Sequence, residues 1–315
     1  MRAAVVDQLG RPPALTDHAK PAVLAEHVVV DVLAAPITPL DLLCATGTSY
    51  FGTPATPYVP GVQGIGTVGG RTVWFPTAAG MTAGDGSMAE KALTRQADLV
   101  FLPDDVPPIA MAALGLSAVA AHMALTWRGE LKPGESVIVL GCGAVGQAAI
   151  QLARAAGAGR VVAAARSSKA CERATRAGAD AVIALDTDDV TELSKRFTEA
   201  APQADLVLDP LFGRPAAAAA QALRPGGRWV NLGGSAGETC PVTSSTLRSR
   251  SLRLSGYTNN ELSTQQRAEA ISTVAHLAAQ GALTVDHEVV PLADVADAWR
   301  RQSEGSTNGR IVLTP

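Results

Sequence analysis

Val137-Ile138-Val139-Leu140-Gly141-Cys142-Gly143-Ala144-Val145-Gly146 is the most informative stretch of the 315-residue chain. Its first four residues are aliphatic and mostly β-branched, which reads as a short strand buried on both faces. Three glycines follow at Gly-x-Gly-x-x-Gly spacing, and Ala144–Ala156, closed by Gly157, reads as a helix. Each glycine has its own task in a strand-to-helix turn that receives a phosphate. Gly141 permits the tight turn, Gly143 lets a ligand approach the backbone, and Gly146 lets the helix pack closely on the strand. The helix N-terminus then presents free N–H groups to a pyrophosphate. The motif alone is weak, because a glycine-rich turn can exist without a ligand. Its place between a strand and a helix strengthens it.

The alternation continues downstream. Arg160–Ala165 is the next strand, and Lys169–Ala177 is a helix ending at Gly178. Ala181–Ala184 and Asp205–Asp209 are further strands. Ala216–Leu223 is helical with Pro225-Gly226-Gly227 as its exit turn, and Arg228–Leu232 and Ser251–Ser255 complete the strands. Such alternation implies a mostly parallel sheet with helices on both faces. Upstream the texture differs. The first hundred residues read as β-rich, with strands at Val28–Ala34 and Thr72–Phe75 and dense Pro and Gly from Pro36 to Gly86. Helical, Ala-rich sequence begins near Pro107, and the tail carries a helix near Thr264–Gln280 and a last strand at Arg310–Leu313.

Composition excludes several classes. With 47% hydrophobic and 17% charged residues the chain is globular, and its length suits two domains. A net charge of −3 advertises no surface for nucleic acid or an anionic membrane, and 4% aromatic residues argue against base stacking. Cys44, Cys142, Cys171 and Cys240 form no Cys-x-x-Cys pair, which fits free thiols in a reducing cytoplasm. The N-terminus turns polar at Asp7, too soon for a signal peptide. The apolar stretch Ile109–Leu125 is broken by Gly115, Ser117 and His122 and reads as a buried helix rather than a membrane span. We therefore expect a cytoplasmic protein.

The residues after the second strand bear on which dinucleotide would bind. An NAD site places an acid there for the ribose hydroxyls. Here Ala165 is followed by Arg166-Ser167-Ser168-Lys169, with no carboxylate. A 2′-phosphate would meet a guanidinium, two hydroxyls and an ammonium, which points to NADPH. The alternative is ordinary solvated surface.

Further segments resemble the medium-chain dehydrogenase/reductase superfamily, in its zinc-free quinone oxidoreductase-like branch. They are Thr38-Pro39-Leu40-Asp41, Gly47–Tyr50, Pro57–Gly61, Gly86–Glu90, Lys132–Glu135, Ala177–Asp180 and Asn308–Leu313. The resemblance covers nearly the whole chain. It implies an α/β fold with a GroES-like β-rich catalytic domain, residues 1–106 and 257–315. A Rossmann domain with a doubly wound parallel sheet, residues 107–256, is inserted into it, and the active site lies in the cleft between them. Zinc members of the superfamily use a Cys, a His and a further Cys or acid as ligands. The matching positions here are Thr38, Val62-Gln63 and Leu116, none a good ligand, and the lobe that holds structural zinc is missing. Zinc-free relatives reduce quinones or carbon–carbon double bonds conjugated to a carbonyl, with NADPH as hydride donor.

The resemblance also assigns residues. Gly141, Cys142, Gly143, Ala144, Val145 and Gly146 should cradle the pyrophosphate, and Arg166, Ser167 and Lys169 the 2′-phosphate. Leu232, Gly233, Gly234 and Ser235 should line the nicotinamide, Tyr257 and Thr258 its carboxamide, and Asn308 should close over the cofactor. On the substrate side Tyr50 is a hydroxyl donor or aromatic wall, or else a loop aromatic covering the domain core. Thr38, Asp41 and Gln63 are polar residues at the former zinc positions. Asp41 has the alternative of bonding backbone N–H groups in a turn. Cys44 reads as a core filler, and none of His18, His27, His122, His276 and His287 has a catalytic partner pattern. The chain departs from quinone reductases at Leu43, where many carry Tyr, and at Ala120, where a Thr often stands beside the nicotinamide; Ser117 is nearby. Competing functions are a pathway-specific biosynthetic reductase and a cofactor-binding protein without turnover. Superfamily members are often dimers joined at the Rossmann sheet edge, here Ser251–Ser255.

Overall fold

In the computed structural model, which describes Met1–Pro315, the chain divides after Leu116 and again after Leu262. One unit comprises Met1–Leu116 with Ser263–Pro315, and the other Ser117–Leu262. Both divisions fall later than the 106/107 and 256/257 boundaries that the family resemblance implies. At the first, the Leu116 N–H donates to Gln63 Oε1 at 2.8 Å, which ties the middle of the Ala-rich helix, just past Gly115, to the β-rich unit. At the second, the Tyr257 N–H donates to Asn231 O at 2.8 Å and Glu261 pairs with Arg128, which keeps residues 257–262 on the parallel-sheet unit.

The first unit opens with an antiparallel pair, β1 (Arg2–Val5) and β2 (Ala14–Asp17). Then come β3 (His27–Pro36), α1 (Pro39–Thr46), β4 (Gln63–Val68), β5 (Arg71–Pro76), β6 (Lys91–Arg95), β7 (Val100–Phe101) and α2 (Pro108–Met123), which from Ser117 belongs to the second unit. β4 and β5 form a hairpin across Gly69-Gly70, with φ of 58° and 78°. Two left-handed residues give the turn a twist that matches the paired strands, and glycine adopts them without steric cost. α2 carries a break at Gly115 (φ 30°, ψ −131°) and runs into a π-helical turn, Ala124–Arg128. The segment Pro108–Arg128 is long and apolar enough to cross a bilayer by composition, but 67% of its apolar window is buried within the chain.

The second unit is a strand–helix alternation: β8 (Ser136–Leu140), α3 (Ala144–Ala155), β9 (Arg160–Ala165), α4 (Ser168–Arg176), β10 (Ala181–Ala184), α5 (Val190–Ala200), β11 (Ala204–Asp209), α6 (Gly213–Ala220), β12 (Leu223–Asn231), α7 (Ser244–Ser249) and β13 (Arg253–Gly256). The six strands lie in the order β10-β9-β8-β11-β12-β13, and every pairing is parallel. The order reverses at β8, which makes its carboxyl end the topological switch point. Ile138, Leu140, Val162, Phe197, Val207 and Trp229 pack in one core cluster. Pro225-Gly226-Gly227, expected as an exit turn, instead lies inside β12, where the β11–β12 register shifts between Ala204 and Leu206. α6 starts at Gly213 rather than Ala216.

The chain then returns to the first unit as α8 (Thr264–Ala279), β14 (His287–Pro291), α9 (Val295–Glu304) and β15 (Arg310–Thr314). β15 pairs antiparallel with β3, and β14 extends that sheet, whose main path is β14-β15-β3-β4-β5-β7. The Arg310 guanidinium donates to Ile37 O at 2.6 Å and fixes the join. Ile37, Val73, Phe75, Met88, Trp299 and Leu313 belong to the core of this unit. The α/β architecture is the one expected.

Candidate active site

The glycine turn follows β8 as its sequence predicts. Gly141 is left-handed at φ 78°, and its N–H donates to Ala164 O at 2.8 Å. A Cβ on Gly146 would lie 1.8 Å from Gly141 O, so no side chain fits there. A Cβ on Gly143 would meet no atom within 4 Å, and this exposed glycine is the N-cap of α3. No side chain caps that end, so the first-turn N–H groups are available to an anion. Cys142 turns inward, with Sγ 3.9 Å from Ala164 O, and burial pushes its thiol up to about 12. It offers its backbone rather than a thiolate. Ala144 is buried and Val145 half-buried at the start of the helix.

Arg166, Ser167, Ser168 and Lys169 are all exposed at the carboxyl end of β9, beside that turn. Ser167 caps α4, its Oγ accepting the Ala170 N–H at 3.2 Å. Sequence reasoning missed Arg173. One turn beyond Lys169, its Nε–H donates to the Cys142 carbonyl at 3.2 Å and braces the glycine turn from α4. A helical i, i+4 step from Lys169 was the available signal.

Leu232–Ser235 follow β12 and are held by the last residue of β11 and the one after it. The Leu232 N–H donates to Asp209 O at 2.9 Å, and Ser235 Oγ donates to Pro210 O at 3.2 Å. Gly233 is required because a Cβ there would lie 2.8 Å from Pro210 O. Tyr257 is buried, with its hydroxyl donating to Asn259 Oδ1 at 2.7 Å and its ring edge-on to Trp127 at 6.4 Å. Thr258 caps the turn Asn259–Glu261 reciprocally with Glu261. Asn308 is exposed in the turn before β15, in the first unit.

Asp209 is a second residue that the sequence reading passed over. It is fully buried, and its carboxylate accepts the N–H groups of Leu211 (2.9 Å) and Phe212 (2.7 Å), Trp229 Nε1–H (2.8 Å) and Asn231 Nδ2–H (3.2 Å). Burial raises its pKa against the pull of these bonds. Its donors lie up to 22 residues away in sequence, so no local pattern marks it.

In the β-rich unit the polar candidates are committed to structure. Asp41 Oδ2 accepts the Thr38 N–H (2.8 Å) and hydroxyl (2.6 Å), and Oδ1 accepts the N–H groups of Gly61 (3.1 Å) and Val62 (2.9 Å). Burial is the largest influence on this carboxyl and raises its pKa. Gln63 Oε1 accepts both Trp74 Nε1–H (2.9 Å) and the Leu116 N–H. The bonds of Thr38, Asp41 and Gln63 close the N-terminus of α1 and anchor Gly61–Gln63, and for Asp41 they are the backbone N–H bonds given above as its alternative. Tyr50 is 75% exposed, its ring tilted at 39° to that of Phe51 with centroids 4.3 Å apart, so it does not cover the domain core. Cys44 is buried and free, a core filler as expected.

These bonds also bring Thr38, Val62 and Leu116 around one short segment, as the zinc alignment requires. A zinc ion does not fit them. The Thr38 hydroxyl donates to Asp41, Val62 and Leu116 carry hydrocarbon, and no group of three His, Cys, Asp or Glu side chains gathers anywhere in the chain.

Residues 144–280 match the zinc-binding dehydrogenase family, a segment that excludes those three positions. The chain is 30% identical over 312 residues to the mitochondrial enoyl-[acyl-carrier-protein] reductase of Homo sapiens, covering 93% of this chain and 82% of that protein. It is 28% identical to the quinone oxidoreductase of Thermus thermophilus, solved also in complex with NADPH, with a TM-score of 0.83 over 100% of both chains. A mycobacterial quinone oxidoreductase superposes with a TM-score of 0.88 over 100% of both chains at 22% identity, a likeness of fold alone.

Proposed function

The chain belongs to the medium-chain dehydrogenase/reductase superfamily as an oxidoreductase of the quinone oxidoreductase and enoyl reductase type, and within it we propose a zinc-independent, NADPH-dependent reductase of quinones or α,β-unsaturated carbonyls. The observation that carries the reading is the exposed group Arg166-Ser167-Ser168-Lys169 beside the glycine turn, a guanidinium, two hydroxyls and an ammonium in a stretch that itself contains no carboxylate. The NADPH complex of the Thermus thermophilus relative supports it.

The bound dinucleotide supplies a hydride for an electron-poor carbon. The protein's own part is binding and orientation. N–H groups at the start of α3 meet the pyrophosphate, and Arg166, Ser167 and Lys169 meet the 2′-phosphate. Leu232–Ser235 and Tyr257-Thr258 shape the opposite side. Without a Lewis acid, the charge that develops on the substrate oxygen must be met by hydrogen-bond donors. Tyr50 is the substrate-side candidate whose hydroxyl makes no bond within the chain, and we assign it the role of donor. NADPH oxidation with a panel of quinones and enones tests the reading. Tight NADPH binding without turnover on any of them would sink it, in favour of a pathway-specific reductase or a protein without turnover. The 30% identity to an enoyl-[acyl-carrier-protein] reductase favours the enone arm.

We also place the chain in the cytoplasm as a homodimer. β13 pairs only with β12, which leaves one backbone edge free, and Leu254 on it is 44% exposed. A Leu254→Lys variant should elute as a monomer on size exclusion, and a wild-type monomer would contradict the assignment.

A further inference from the structure

The sheet order gives a dinucleotide a direction. β9 and β10 lie on one side of β8, and β11, β12 and β13 on the other. A phosphate at the start of α3 with its adenosine toward Arg166 sends the other half over the carboxyl ends of β11, β12 and β13. The ends of β11 and β12 share one hydrogen-bonded pair. Asp209 and Asn231 face each other in the β11–β12 register, and Asn231 Nδ2–H donates to Asp209 Oδ2 at 3.2 Å. Asp209 Oδ1 holds the N–H groups of Leu211 and Phe212, and Phe212 is kept at φ 56°. Leu211 in turn packs against Gly141: a Cβ on that glycine would lie 3.0 Å from Leu211 Cδ2. Asn231 Nδ2–H also donates to Gly233 O at 2.8 Å, and Asn231 O accepts the Tyr257 N–H at 2.8 Å. One carboxylate and one carboxamide thus bond residues at and after the ends of β11 and β12, and the Asn231 main chain carries the link on to Tyr257 after β13.

We propose that Asp209 and Asn231 are a positioning pair that holds the ends of β11 and β12 as a single surface for the reactive half of the dinucleotide, an inference that rests on the dinucleotide reading above. Asp209 is wholly buried and acts only through its partners. The adenosine half, held after β8 and β9, depends on a different set of bonds.

The two halves can be separated by titrating the full-length protein with NADP+ and with 2′,5′-ADP, which carries the adenosine half alone. In Asn231→Ala and Asp209→Asn, NADP+ affinity should fall by about tenfold or more while 2′,5′-ADP stays within about twofold of wild type. Equal loss of both ligands would show a fold-wide role and overturn the proposal, as would unchanged affinity for both. If Asp209→Asn does not fold, Asn231→Ala decides, since its side chain is only half-buried. Wild-type protein that binds neither ligand would overturn the dinucleotide reading as well; wild type that binds both, with variants indistinguishable from it, overturns this inference alone.

Discussion

The Arg173 Nε–H donates to the Cys142 carbonyl at 3.2 Å and so sets the orientation of the peptide that joins Cys142 to Gly143. A trans peptide is planar, with its C=O and N–H pointing in opposite directions. Holding the carbonyl toward α4 aims the Gly143 N–H away from α4. Arg173→Met should therefore weaken NADPH and NADH alike, by roughly tenfold, because the pyrophosphate is common to both. Isothermal titration with each cofactor checks this, and a loss confined to NADPH would reassign Arg173 to the 2′-phosphate.

Gly146→Ala would place a methyl 1.8 Å from Gly141 O, a backbone atom that cannot turn aside. We expect at least about 1–3 kcal/mol of destabilisation from overpacking, together with loss of cofactor binding. Thermal unfolding and NADPH titration of the variant measure both. Gly143→Ala, which meets nothing within 4 Å, should unfold at nearly the wild-type temperature and lose only cofactor affinity.

Metal removal should change nothing. The residues at the zinc positions, Thr38, Val62 and Leu116, supply no thiolate, imidazole or carboxylate. Prolonged dialysis against a strong chelator should leave kcat within error of the untreated enzyme. Stoichiometric zinc by elemental analysis, lost in parallel with activity, would contradict the account.

Tyr50→Phe tests the proton or hydrogen-bond donor. Removal of a general acid typically costs about 100-fold or more in rate, and the exposed ring should leave stability unaffected. An unchanged kcat removes Tyr50 from the mechanism.

The parallel sheet was legible because its signals are local. β8 and β9 are buried on both faces, so they read as continuous aliphatic runs, and Gly141, Gly143 and Gly146 mark the turn between β8 and α3. α5 also had a signal that was passed over: Asp189 caps it, and Leu193 and Phe197 repeat at i, i+4 on its buried face. What escaped depends on partners distant in sequence. Nothing beside Asp41 or Gln63 announces that Gly61, Val62, Trp74 and Leu116 will occupy their oxygens. Asp209 looks like any strand-ending acid until Trp229 and Asn231 arrive from the neighbouring strand. Pro225-Gly226-Gly227 read as a turn because its composition is that of one, while the β12 pairing that absorbs it is set by β11.

The central claim is that Arg166 and Lys169 select the 2′-phosphate, and the most direct test is kcat/KM for NADPH against NADH with the best acceptor from the panel, in wild type and in Arg166→Ala. We predict a strong wild-type preference for NADPH, with Arg166→Ala lowering its kcat/KM by roughly 10- to 100-fold and leaving NADH nearly unchanged. Equal kcat/KM for the two cofactors in the wild-type enzyme would contradict it.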